Sequence, residues 1–128
     1  MGEIAQIEVT GAVDDIRPYL KGATALVCPM RMGCGIKNKL LEAMAMELPI
    51  VATPLAVRGI RDIPVPVVRI APEGDFGNLL GVVLKTRSQG DTAGTQARAF
   101  VQRYFSWEET LNEYKQVFRR VVGKLVFK

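Results

Sequence analysis

The residues with the clearest chemical potential form one short run: Gly33, Cys34, Gly35, Ile36, Lys37, Asn38, Lys39, Leu40, Leu41 and Glu42. Glycines on both sides of Cys34 make a turn whose backbone can approach a bound group with no Cβ in the way. A helix beginning near Ile36 offers unpaired N–H groups and a partial positive charge, a setting that suits a phosphate. Lys37 and Lys39 add full positive charge beside it. Glu42 falls on the same side of that helix as Asn38 and Lys39, where a carboxylate can accept hydrogen bonds from a pair of vicinal hydroxyls. The set Gly33, Cys34, Gly35, Ile36, Lys37, Asn38, Lys39 and Glu42 therefore reads as a diphosphate cradle with an acid that reads sugar. Spacing leaves a second reading open, a plain turn with Glu42 paired to Lys39 on the helix surface for roughly a few tenths of a kcal/mol.

Such a cradle needs a strand to deliver it. Nearly continuous apolar runs rich in β-branched residues at 4–10, 24–30, 49–53 and 65–71 read as buried strands, because an alternating pattern is missing. Between them, Asp14 or Asp15 can cap a helix running to Leu20, and residues 36–47 place Leu40, Leu41, Met44, Ala45 and Leu48 on one face. Strands alternating with helices predict an α/β domain, with about four mainly parallel strands between helical layers. Beyond the fourth strand the pattern is helical. Helices are expected over 72–86 and 95–104, with the polar stretch TRSQGDTAG as a loop.

Ser106 followed by Glu109 is a capping box opening a last helix. There Leu111, Tyr114, Phe118, Val121, Val122 and Leu125 share a face, opposite Lys115, Arg119 and Lys124. That helix is expected to cover the sheet, with Trp107 packing at its start; contact of its basic side with anionic lipid is the lesser alternative. Arg58 and Arg61 are expected to face solvent, and Gly59 to serve a turn or a close backbone approach.

At 128 residues and 48% hydrophobic, the chain suits one domain with a single core. The formal charge of +4 suits an anionic ligand without resembling a nucleic-acid arm. No histidine occurs, which removes an imidazole base and the common zinc sets. Two cysteines make no disulfide framework: Cys28, in an apolar run, reads as buried, and Cys34, in the turn, as exposed. No run reaches the length of a membrane span, so the expected location is cytoplasmic, with peripheral contact at the inner face of the cytoplasmic membrane as an option.

The segment GCGIKNKLLEAMAMELPIVATPLAVRGI resembles the donor-binding motif of the retaining GT-B glycosyltransferases that use nucleotide sugars, the group 1 glycosyl transferases, in the branch with bacterial exopolysaccharide sugar transferases. VTGAVDDIRPYLKGATALVCPM resembles the strand, helix and strand leading into that motif, and YFSWEETLNEY the end of the domain. The resemblance implies a Rossmann-like C-terminal domain in which Glu42 matches the glutamate that contacts the nucleotide ribose. The family's other motif glutamate, which contacts the donor sugar, falls on Cys34, so its role does not carry over. Gly35 matches the turn glycine, and Lys37 stands where a second glycine is common.

Further expectations follow from the likeness. The chain spans part of the nucleotide-sugar domain, without the N-terminal acceptor domain. The parent enzyme moves a hexose from a nucleoside diphosphate sugar to a saccharide or lipid-linked acceptor with retention, without cofactor or tightly bound metal, in exopolysaccharide or cell-envelope glycan synthesis. This segment alone is expected to be inactive, and to expose a sheet edge that invites a second copy. The competing class is a non-catalytic α/β interaction or regulatory module. A receiver-type module should cluster acids at strand ends, yet these read VTG, CPM, ATP and RIA. A nucleic-acid module lacks a groove-reading helix and a basic, aromatic sheet face, so no nucleic-acid partner is expected.

Overall fold

A computed structural model describes residues 8–63, 68–87 and 92–125. In chain order these form α1 (Arg17–Gly22), β1 (Leu26–Cys28), α2 (Asn38–Ala45), β2 (Ile50–Ala52), α3 (Pro54–Val57), β3 (Val68–Ile70), a 3-10 turn (Glu73–Asp75), α4 (Phe76–Arg87), α5 (Ala93–Tyr104) and α6 (Trp107–Leu125). The strands make one parallel sheet in the order β1-β2-β3, with Leu26, Ile50 and Val68 in one register row and Cys28, Ala52 and Ile70 in another. Among the described residues there are thus three strands rather than four. The expected strand over 4–10 lies mostly outside the described residues, and residues 8–10 are not in a strand.

Side chains alternate across a strand, so Ile50 and Ala52 face one layer and Val51 the other. Ile50 and Ala52 join a cluster with Leu40, Ala43 and Met44 of α2 and Ala93 and Ala97 of α5. Helix α4 contacts β2 as well, and its Val83 is buried outside that cluster. All of β2 is buried, which explains its unbroken apolar sequence. Val27, beside Val51 in the register, is half exposed, so the α4 side of β1 is less well covered.

Local chemistry sets the element ends. Helix α1 starts at Arg17 because Pro18 fits its first turn, and Asp15 accepts the Arg17 amide at 2.9 Å from just outside the helix. Thr53 caps α3, its hydroxyl accepting from the Ala56 amide at 3.4 Å with Pro54 at the first position. The Ser106 hydroxyl accepts from the Glu109 amide at 3.2 Å, the serine half of the expected capping box.

Three expectations are corrected. The helix expected over 36–47 begins at Asn38, because Lys37 is extended (φ −96°, ψ 102°), and ends at Ala45. Its buried face is Leu40, Ala43 and Met44, while Leu41 and Ala45 are only partly buried. Helix α6 does not lay its apolar side on the sheet: Trp107 is 82% exposed, and Leu111, Tyr114, Phe118, Val121 and Val122 are all more than half exposed. The side chains of Lys124 and Leu125 lie outside the described residues. No described helix is long and apolar enough to cross a membrane.

Candidate functional site

The turn between β1 and α2 takes its shape from glycine. Gly33 (φ 125°) and Gly35 (φ 70°) occupy the left-handed half of backbone space, which other residues enter only with strain. A buried threonine anchors the turn from below: the Thr53 hydroxyl donates to the Met30 carbonyl at 2.8 Å, and the Thr53 amide donates to the Cys28 carbonyl at 3.2 Å. Gly59 closes it from the side. A Cβ there would stand 2.8 Å from the Ile36 amide nitrogen and 2.9 Å from the Gly35 carbonyl carbon, so the 33–36 turn rests on the Gly59 backbone. This gives Gly59 a close-approach role. Sequence reasoning missed Thr53, although a threonine before proline after an apolar run is a legible cap signal.

The turn presents the start of α2 without a side-chain cap. An eight-residue helix whose first amides lack side-chain acceptors retains its partial positive charge at that end. Both lysines sit beside it, but with partners of their own. The Lys37 ammonium donates to the Cys34 carbonyl and, at 3.2 Å, to the Gly35 carbonyl. The Lys39 ammonium lies 3.5 Å from the Met30 sulfur. Lys37 thus folds back over its own turn, and its charge reaches a ligand only if those carbonyl contacts open. Cys34 is an exposed free thiol and Cys28 a buried one.

Glu42 is exposed one turn further along α2. It lines an open groove of about 370 Å³ with Ala45 and Met46 on one side and Asp14, Asp15, Ile16, Arg17 and Leu20 on the other. Arg17 is held by Asp15, with contacts of 2.9 Å and 3.1 Å from its Nε and 2.9 Å from Nη2. Hydrogen bonding to Arg17 holds the Asp15 carboxyl below its ordinary range, and the same bonds raise Arg17. With Asp14, Asp15 and Glu42 against one paired arginine, the groove favours hydrogen-bond donors such as hydroxyls over anions. Asp14 and Asp15 were read from sequence only as helix caps; their place opposite Glu42 comes from the tertiary fold.

Arg58 and Arg61 are exposed as expected. Arg61 borders a second hollow, with Gly59, Asp62, Phe100, Tyr104, Phe105 and Glu113. Among the described residues, no three His, Cys, Asp or Glu side chains group as a metal site.

A family model described as Glycosyl transferases group 1 matches residues 2–76, which include the glycine turn, α2 and all three strands but neither α5 nor α6. Comparison with curated proteins gave no match, and neither did comparison with solved structures. The match covers more than half of the 128 residues, and on that ground the chain belongs to the group 1 glycosyl transferases.

Proposed function

We propose that this chain is the donor-binding part of a retaining glycosyltransferase that takes a hexose from a nucleoside diphosphate sugar and passes it to a saccharide or lipid-linked acceptor. The observation that carries this reading is the placement of Glu42 one turn beyond the uncapped start of α2, with its carboxylate exposed at a groove. About 6 Å of helix separates Asn38 from Glu42, a span that matches a diphosphate followed by a ribose. The α2 amides take the diphosphate, joined by Lys39 and by Lys37 once it leaves the turn carbonyls. Glu42 accepts from the ribose hydroxyls, in a groove whose acids suit hydroxyl donors.

The chemistry demanded of these residues is to stabilise a leaving group. When the bond between the sugar and the diphosphate breaks, the electron pair stays with the diphosphate, and its growing charge meets the fixed dipoles at the start of α2. The acceptor hydroxyl oxygen attaches on the face the diphosphate left, and its proton passes to the departing diphosphate oxygen. Holding the acceptor there and excluding water need a second wall, which in this reading is an N-terminal acceptor domain outside this chain. The segment alone is then a binder and not a catalyst. The donor is a substrate, and no cofactor or tightly bound metal enters the reading. Exopolysaccharide or cell-envelope glycan synthesis at the inner face of the cytoplasmic membrane is the setting that accompanies it.

Calorimetric titration with uridine and guanosine diphosphates tests the proposal, on this chain and on a longer protein that contains it. Binding of one nucleotide by the longer protein, lost in Glu42→Ala while the fold is kept, is the expected result. Binding of neither nucleotide, or binding unchanged in Glu42→Ala, removes Glu42 from the site.

A further inference from the structure

The second hollow, about 330 Å³, draws its walls from three separate parts of the chain. Gly59, Arg61 and Asp62 follow α3, Phe100, Tyr104 and Phe105 close α5, and Glu113 comes from α6. None of these residues lines the Glu42 groove, and Gly59 is the point at which the hollow meets the glycine turn.

Floor and rim are both held in place. Phe100 and Phe105 pack against the core cluster with ring centroids 5.9 Å apart, and the half-exposed Tyr104 ring stands 5.1 Å from Phe100. The buried Ile60 anchors the loop opposite them. Neighbouring side chains on extended backbone point to opposite sides. Arg61 and Asp62 nevertheless line the same hollow, where the chain passes through the left-handed region at Asp62 (φ 53°).

Charge and hydrogen-bonding capacity select the ligand. Against the carboxylates of Asp62 and Glu113 stand the guanidinium groups of Arg61 and Arg103, the latter 5.3 Å from the centre of the Tyr104 ring. A ligand charge of either sign therefore meets opposing groups, and Arg103 already covers the aromatic face that a ligand cation would use. A neutral ligand with hydroxyls gains from all of them: the carboxylates accept, Arg61 and the Tyr104 hydroxyl donate, and the rings cover apolar C–H surface. Hydroxyls carried on a C–H framework describe a saccharide, the kind of molecule on which a glycosyl transferase acts.

We propose that this hollow binds a neutral saccharide unit, which in the glycosyl transfer set out above is a unit of the acceptor. The inference rests on that reading for the acceptor role, and it makes no use of Glu42.

Amide chemical shifts of the 128-residue chain, followed during titration with the methyl glycosides of glucose, mannose and galactose, test the proposal. At least one glycoside is expected to move Gly59, Arg61, Asp62 and Phe105 together and to leave Asn38 and Glu42 unmoved. Tyr104→Ala and Glu113→Ala, both at exposed positions, keep the rest of the spectrum and each weaken the binding about fivefold. Methyl glucuronide, an anion, and methyl glucosaminide, a cation, bind more weakly than the neutral glycoside. No shifts with any of the three neutral glycosides, shifts centred on the Glu42 groove, affinity unchanged in both variants, or tighter binding of a charged glycoside each overturns the proposal. Saccharide shifts in a protein that binds neither nucleotide uphold the hollow and sink only the donor reading of Glu42; nucleotide binding without saccharide shifts does the reverse.

Discussion

Gly59 supports Ile36 by backbone contact alone: a Cβ on Gly59 would lie 2.8 Å from the Ile36 amide nitrogen. The two residues are far apart in sequence, one following β2 and the other preceding α2, and their backbones meet with no room for a Cβ between them. Since backbone, not a flexible side chain, stands in the way, any side chain at position 59 must displace the turn.

Gly59→Ala is therefore expected to destabilise the fold by about 1–3 kcal/mol through overpacking. Gly74→Ala, where a Cβ meets nothing within 4 Å, serves as the control and should change little. Urea denaturation midpoints compare the two, and equal midpoints would show that the turn yields freely.

Thr53 is buried and joins the end of β2 to the start of the turn through Met30. Thr53→Val keeps the shape but removes both the donor to Met30 and the cap on α3, at a cost of about 1–3 kcal/mol. Thr53→Ser should recover most of that in the same denaturation experiment, because the hydroxyl is kept.

Substitution at Glu42 should separate binding from stability. The residue is exposed, so Glu42→Gln should shift stability by no more than about 0.5 kcal/mol while weakening nucleoside diphosphate in the longer protein. Lys37→Met and Lys39→Met should weaken nucleoside diphosphate more than nucleoside, because they act on charge. Calorimetry with both ligands reads the difference; equal weakening would point to damage to the fold.

The Asp15 and Arg17 pair gives a pH signature. Asp15 titrates below its ordinary range in the fold, so the pair's contribution is fully present above the unfolded carboxylate value and disappears as pH falls through the lower folded value. The exposed position makes this a local effect. The carbon resonance of the Asp15 carboxyl should titrate at higher pH in Arg17→Met than in the wild type, and identical midpoints would remove Arg17 as the cause.

The amino-acid sequence by itself determined the α/β class, the strands β1, β2 and β3, the helical second half and the turn that leads into α2. Those features rest on local signals: continuous apolar runs such as Ile50–Ala52, glycine at 33 and 35, and Ser106 before Glu109. What joins distant segments was decided only by the tertiary structure. The seating of Gly59 under Ile36, the bond from Thr53 to Met30 and the meeting of Asp15 with the Glu42 groove depend on how parallel crossovers bring those segments together. The inward fold of Lys37 follows from where the Cys34 and Gly35 carbonyls point. Helix α6 shows the limit most plainly. Its period marks an apolar face, but whether that face meets the sheet or stays open depends on its direction of exit after Phe105, which a hydrophobic pattern does not encode.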